Sequence, residues 1–395
     1  MFNAFSIVRE VAGVVAGATA KIPAIEKKFR ISERLDGNWP EGPFLWLHGA
    51  SLGECQMLLS LAGFLQHDLP NCPKILITAQ KPEVVDFLKN SGKDIEAAMA
   101  PADTPTSMAK FISKVKPVGL ILGENELWPG YLAAMQKLSL KPSVAIVSGR
   151  FHRAFPFLKY SAIGFAAMQT GADSSRIQAA FGDTCSTKAV IGGDWKLLSW
   201  AKSGSEVAEP ENPSVDTAFL SMHFAEWASL IRMILSSIKR QESVVLVPRR
   251  LEEVESFRKA LVEQELIVTE WPLVQKGAVS LVVKFGLVPE ILKMTKTAVV
   301  GGSFGMRLGV HDFWEPLQNG VATCIGPYSK GQKETVRTLV REGVLTQLQT
   351  TAGYASRNKA DIRMVKSFLE RERLKISESY QQLLDFLKDL LQAQG

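Results

Sequence analysis

The sequence predicts an α/β protein built of two Rossmann-like, doubly wound domains, and three observations carry that reading. At 395 residues the chain has the length of two ordinary domains. Short apolar runs that read as strands alternate with longer runs at helical spacing, the pattern of parallel sheets covered on both faces. Residues 203–213 (SGSEVAEPENP) are polar, carry two prolines and show no apolar period, so they divide the alternation in two. The expected organisation is an N-terminal helix and basic segment over 1–35, a first domain over 36–202 and a linker over 203–213. A second domain over 214–360 and a C-terminal helix over 361–395, packing back across both domains, complete it.

Composition narrows the class. An apolar content of 46% and an aromatic content of 8% suit a globular protein with sizeable cores. The net charge of +6 suggests an anionic partner without demanding nucleic acid. Cys55, Cys72, Cys185 and Cys324 form no C-x-x-C pair, which fits free thiols in a reducing compartment. None of the five histidines lies in H-E-x-x-H and no D-x-D occurs, so no built-in metal site is expected.

The first element, residues 1–20, is apolar but interrupted by Arg9 and Glu10, and its longest uncharged run, residues 11–20, has ten residues. That is too short to span a bilayer, which takes about 20. Lys21, Lys27, Lys28, Arg30 and Arg34 follow, so the segment reads either as a helix lying in an anionic headgroup region or as a helix packed on its own domain. A cleaved signal peptide would carry its charge before its apolar stretch, not after it.

Next comes Trp46-Leu47-His48-Gly49-Ala50-Ser51-Leu52-Gly53-Glu54-Cys55-Gln56, a strand, a glycine turn and the start of a helix. This order aims backbone amides and short side chains at the carboxyl end of the strand. Gly49-Ala50-Ser51-Leu52-Gly53 matches the nucleophile elbow of serine hydrolases, with Ser51 as nucleophile, but only about forty residues precede it where several strands belong. Glu54 reads either as a general base, positioned by Ser51 and the turn amides, or as a carboxylate stabilised by the helix dipole. Further strands end at Thr78, at Glu124 and Glu126, and at Arg150. Two apart, Glu124 and Glu126 would share a face of a strand, and either could bind a substrate hydroxyl or pair with Arg150. Met168-Gln169 with Asp173 and Arg176, then Gly192-Gly193-Asp194-Trp195-Lys196, mark further strand ends.

Past the linker the alternation resumes. Strands are expected before His223, at Val244-Val245-Leu246-Val247 before Arg249, at Leu281-Val282-Val283, at Ala298-Val299-Val300 and at Thr323-Cys324-Ile325. Gly301-Gly302-Ser303 reads as a phosphate turn, with amides and a hydroxyl facing the ligand. His311, Asp312 and Glu315 are spaced to share one face of a short helix, where Glu315 could grip a ribose diol. Residues 359–394 read as one long amphipathic helix.

Two such domains facing across a cleft are the GT-B glycosyltransferase plan, and the short motifs together name a family. Glu33-Arg34-Leu35, Trp46-Leu47-His48, Ser51-Leu52-Gly53-Glu54 and Glu124-Asn125-Glu126-Leu127-Trp128-Pro129 come first. Arg150, Gln169, Asp173, Arg176 and Gly193-Asp194-Trp195-Lys196 follow, then Ser221-Met222-His223, Glu226, Pro248-Arg249, Gly301-Gly302-Ser303, His311 with Glu315-Pro316, and Gly326-Pro327. In this order and spacing the chain resembles the Kdo (3-deoxy-D-manno-octulosonic acid) transferases of lipopolysaccharide assembly along most of its length.

The resemblance implies an inverting transfer of Kdo from CMP-Kdo to a lipid A precursor (lipid IVA) at the cytoplasmic face of the inner membrane, with no cofactor and no metal. It puts the general base on Glu54 and acceptor binding on Ser51, Gly53, Glu126 and Arg150 in the first domain. Donor binding falls on His223, Arg249, Gly302, Ser303, Asp312 and Glu315 in the second. It also implies an anionic membrane surface as partner of the N-terminal segment, and no nucleic acid. The chain departs from the family pattern at Gly130, His152, Arg250, Asp312 and Val283…Gly286-Leu287-Val288. A divergent paralogue with another donor sugar, or an envelope-associated binding protein without catalysis, is the alternative, and a serine hydrolase using Ser51 the third reading.

Overall fold

The computed structural model describes residues 4–138, 141–155, 158–182, 187, 189–207, 210, 213–354 and 362–392. Cys185 and parts of the expected linker and C-terminal helix lie outside these residues. The chain divides into two compact units, Met1–Ser203 with Glu372–Gly395, and Gly204–Arg371.

The first unit opens with α1 (Ala4–Thr19), α2 (Pro23–Phe29) and α3 (Ile31–Asp36). Strand β1 (Phe44–Gly49) and α4 (Leu52–Asp68) follow, then β2 (Ile75–Ala79), α5 (Pro82–Lys89), β3 (Glu96–Met99) and α6 (Pro105–Val115). The alternation continues through β4 (Pro117–Gly123), α7 (Pro129–Leu138), β5 (Val144–Gly149), β6 (Ile163–Met168), α8 (Gly171–Phe181), β7 (Ala189–Ile191) and α9 (Leu198–Ser203). The seven strands form one parallel sheet in the order β3-β2-β1-β4-β5-β6-β7. All six residues of β1 are buried, as a central strand covered on both faces requires. Trp46 packs against Phe111 and Tyr131, and its indole N–H donates to Thr78 Oγ1 at 2.8 Å.

The second unit contains β8 (Val215–Met222), α10 (Trp227–Lys239), β9 (Val244–Pro248), α11 (Val254–Val262), β10 (Val268–Glu270) and β11 (Val279–Leu281). Then come α12 (Val288–Lys293), β12 (Thr295–Val300), α13 (Trp314–Gln318), β13 (Ala322–Ile325), α14 (Lys333–Arg341) and β14 (Thr346–Gln347). Its parallel sheet runs β10-β11-β9-β8-β12-β13-β14. Helix α15 (Ile362–Gln392) belongs to the second unit through Arg371, where Phe368 stacks on Trp314, and to the first from Glu372, where Phe386 stacks on Phe165.

Both sheets reverse strand order at the same place, between β1 and β4 in one and between β8 and β12 in the other. In open parallel sheets this switch point leaves a crevice outside the carboxyl ends of the strands. The two-domain α/β class is the one the alternation predicts. Three strands escape the apolar pattern: β3 contains only Glu-Ala-Ala-Met, β10 is three residues long and β14 two. The strand expected at Leu281-Val282-Val283 instead covers Val279–Leu281, where pairing with β9 fixes its register.

Helix α1 is docked along one edge and open along another. Arg9 pairs with Asp103 at 3.1 Å and Glu10 accepts the Thr106 amide at 3.2 Å. Val8, Val11, Val14 and Val15 stand exposed, with Ile22 and Phe29 beyond them. Among the described residues no helix is long and apolar enough to cross a membrane.

Candidate functional site

In the first unit the switch point is built from the β1–α4 and β4–α7 turns. Ser51 caps α4, its hydroxyl accepting the Glu54 amide at 3.3 Å, while Glu54 Oε2 accepts the amides of Ala50 at 2.6 Å and Ser51 at 3.3 Å. This reciprocal capping box fixes the Glu54 rotamer. Oε1 takes no hydrogen bond from the described residues, so one oxygen is anchored and the other is available to a proton donor. Gly53 faces Lys196, and a Cβ there would make only an ordinary contact with Lys196 Cε at 3.7 Å, so the packing does not require glycine. Among the described residues no histidine bonds Ser51, so the elbow lacks the base that a serine nucleophile needs. Cys55 is inert too: burial, then Glu54 and Glu126, push its thiol up to about 12.

Glu124 and Glu126 do not share a face. The strand ends at Gly123, and Glu124 takes a left-handed φ of 50°, which turns the chain and sends the two carboxylates apart. Glu124 is buried between Arg150 and Lys196, with Lys196 Nζ at 2.9 Å. Glu126 accepts from Trp128 Nε1 at 2.7 Å and lies 3.4 Å from His48 Nε2. Burial alone would raise the Glu126 carboxyl, but the His48 and Trp128 contacts outweigh it and hold the group below its usual range. Arg150 therefore spends its guanidinium on Glu124, of the two. Gln169 and Asp194 meet on the buried Ser148 hydroxyl at 3.1 and 3.2 Å, and Asp173 accepts the Phe151 amide at 2.9 Å. These motif residues hold the turns together.

The second unit places its groups around the β8–β12 switch point. The first two amides of the Gly301-Gly302-Ser303 turn are not offered outward: Gly301 donates to Leu220 O at 2.8 Å and Gly302 to a carboxylate. Glu226, 2% exposed, accepts the Gly302 amide at 2.9 Å and the Phe304 amide at 2.9 Å, and also the His223 amide at 3.1 Å. The Ser303 hydroxyl donates to Val300 O at 2.6 Å and accepts the Gly326 amide at 2.8 Å. Gly302 has φ +75° and a Cβ there would meet Gly309 O at 2.1 Å, so only glycine fits. The turn is thus shaped from inside by a carboxylate that the phosphate-turn reading had not included.

His223 and His311 meet at 2.8 Å through their Nε2 atoms. Burial above all, then Arg249 and His223, push His311 down to about 3, and burial lowers His223 despite Glu226 and Glu253. Both imidazoles are therefore neutral near pH 7, one donating and the other accepting. Exposed Arg249 follows β9 and adds its charge beside them. Glu315 does not share a helical face with His311 and Asp312, because α13 begins only at Trp314 and Asp312 Oδ1 accepts the Trp314 amide at 2.8 Å ahead of it. The Glu315 carboxylate has no hydrogen bond from the described residues. Burial, and then Asp312, push it up to about 7.

Among the described residues no group of three or more His, Cys, Asp or Glu is placed to hold a metal ion. Sequence reasoning left Lys196, Ser148 and Thr78 without roles and took Glu226 only as part of a motif. The Ser51-x-x-Glu54 spacing is the signature of a capping box, a signal that the sequence reading did not use.

Residues 24–189 match the family described as 3-deoxy-D-manno-octulosonic-acid transferase (kdotransferase). The chain is 25% identical over 346 residues to the 3-deoxy-D-manno-octulosonic acid transferase of Aquifex aeolicus, covering 86% of this chain and 90% of that one. It is 25% identical over 390 residues to the enzyme of the same description from Chlamydia trachomatis serovar D, covering 88% and 86%. In fold it is similar to a UDP-GlcNAc 2-epimerase from Neisseria meningitidis (TM-score 0.52, 12% identity, 88% of this chain and 100% of that one). A glycosyltransferase from Rickettsia africae gives a TM-score of 0.50 at 10% identity over 89% and 99%. Together with the paired parallel sheets, these likenesses make the fold GT-B.

Proposed function

We propose that the chain, a glycosyltransferase similar to the Kdo transferases, transfers Kdo from CMP-Kdo to a lipid A precursor such as lipid IVA, with inversion and with Glu54 as the general base. Glu54 Oε1 takes the proton of the acceptor hydroxyl as that oxygen bonds to the anomeric carbon of Kdo. The bond from that carbon to the phosphate oxygen breaks, and CMP leaves with its electron pair. The observation that carries this reading is the Glu54 carboxylate itself, anchored through Oε2 by two amides beside the switch point, with no hydrogen bond to Oε1 from the described residues.

On the acceptor side, Ser51 and Gly53 shape the turn, and Glu126 and the Arg150–Glu124 pair line the carboxyl ends of the strands. On the donor side, Arg249 meets the charge that develops on the CMP phosphate. The neutral His223–His311 pair supplies an N–H donor, and the Gly302–Ser303 turn keeps the backbone low. Glu315 accepts from the ribose hydroxyls, with Asp312 holding the start of its helix. No metal enters this scheme.

The exposed valines of α1, with Lys21, Lys27 and Lys28 nearby, suit peripheral association with an anionic inner-membrane surface on its cytoplasmic face. Transfer of Kdo from CMP-Kdo to lipid IVA by the wild type, lost in Glu54→Gln with CMP binding intact, tests the reading. Gln keeps the capping-box acceptor, so the variant removes the base and leaves the turn.

A further inference from the structure

The loop after β13 and the exposed face of α14 line an open cavity of about 810 Å³ in the second unit. Lys330, Lys333, Arg337 and Arg341 line it, with Tyr328 and Ser329 as hydrogen-bonding groups. Arg337 pairs with Glu334 at 3.2 Å, whereas Lys330, Lys333 and Arg341 have no carboxylate partner among the described residues. Lys333, Arg337 and Arg341 follow one another at four-residue intervals on α14, so like charges stack along one helix face. Each like-charge pair costs a helix about 0.2–0.5 kcal/mol, which a bound anion would offset.

The cavity is tied to the donor turn. Tyr328 donates its amide to Ser303 O at 3.0 Å, Gly326 donates its amide to Ser303 Oγ at 2.8 Å, and Met306 closes one side. Gln347 Nε2 donates to Pro327 O at 3.1 Å and fixes the loop from beneath. The cations thus stand on a turn braced by Ser303, and the lining includes none of His223, Arg249, Gly302, His311 and Glu315, which follow β8, β9 and β12. A second anionic site, separate from the one that takes the nucleotide phosphate, has the right place and charge.

We propose that this cavity binds an oxyanion of a substrate other than the nucleotide phosphate: a phosphomonoester of the acceptor or the carboxylate of the donor sugar. The proposal rests on the transferase reading for the identity of the substrate, and on the cavity alone for the anion. Lysine supplies point charges there, and the arginine fork can take two oxygens at once.

The test has two parts. Binding of inorganic phosphate is measured with the nucleotide site saturated by CMP, in wild type, in Lys330→Ala/Arg341→Ala and in the charge-keeping Lys330→Arg/Arg341→Lys. At least a tenfold loss is expected in the first variant and retention in the second; unchanged phosphate affinity in the alanine variant overturns the proposal. Steady-state KM values then identify the source. A raised KM for a phosphorylated acceptor, absent for the dephosphorylated one, assigns the cavity to the acceptor, and a raised KM for the donor assigns it to the sugar carboxylate. Weakened phosphate binding with both KM values unchanged overturns the substrate assignment. If the wild type transfers no sugar, the transferase reading fails, and phosphate binding still decides whether the cavity is an anion site.

Discussion

Glu226 Oε2 accepts the Gly302 amide at 2.9 Å, so the turn that would meet a phosphate is held from inside the protein by a buried carboxylate. Truncating Glu226 leaves the Gly302 and Phe304 amides without their acceptor, at a cost of about 1–3 kcal/mol for each group. Glu226→Ala is expected to lower the unfolding midpoint and weaken CMP binding at least tenfold, with Glu226→Gln intermediate. Denaturant unfolding and CMP calorimetry check both.

Glu315 gives a pH dependence whose sign follows from its raised carboxyl. Its ordinary value is 4.5 and it is pushed up to about 7 in the fold. Between those values the unfolded chain has released the proton and the folded one keeps it, so this group's contribution to stability falls as pH rises through that window. CMP binding runs the other way if both ribose hydroxyls donate to the ionised carboxylate: affinity rises from pH 6 to pH 8. Calorimetry across that range is expected to show a steeper rise in wild type than in Glu315→Gln, the remainder coming from the second ionisation of the CMP phosphate at about pH 6.

Gly130 is a departure from the family that the packing explains. Its amide donates to Asp103 Oδ1 at 2.6 Å, the carboxylate that also pairs with Arg9 of α1. A Cβ at this position would lie 2.1 Å from Asp103 Oδ1 and 2.6 Å from Arg9 Nη1. Gly130→Ala is therefore expected to cost about 1–3 kcal/mol, the usual range for overpacking. In the Asp103→Ala background the same change costs less, and a double-mutant cycle by denaturant unfolding reads the difference.

Glu124 sits 2% exposed between Arg150 and Lys196. Glu124→Ala removes the buried carboxylate that Arg150 and Lys196 share and is expected to destabilise the first unit by about 1–3 kcal/mol. Glu126→Ala removes a carboxylate that keeps some exposure and should spare the fold far more. Thermal unfolding of the two variants side by side separates them.

Much of the fold was legible because its central strands are continuous apolar runs closed by glycine turns, as in Phe44-Leu45-Trp46-Leu47 and Ala298-Val299-Val300. The edges were not, since β3 is half alanine and β14 two residues long, and their pairing partners define them. In the site, Glu54, His223 and Arg249 were marked by position after strand ends, and Glu315 by its spacing from His311 and Asp312. What a linear reading could not give was which polar groups satisfy each other. The left-handed turn at Glu124 parts it from Glu126, and Glu226 reaches across 76 residues of sequence to the Gly302 amide. Periodicity carries no information about such long-range pairing.

The most direct measurement is Kdo transfer from CMP-Kdo to lipid IVA by wild type and by Glu54→Gln, with CMP affinity measured on the same preparations. Transfer by the wild type that falls by at least 100-fold in Glu54→Gln, with unchanged CMP affinity, is the result expected of a general base at this position. Equal transfer rates in the two proteins would contradict it and return Glu54 to a helix-capping role alone.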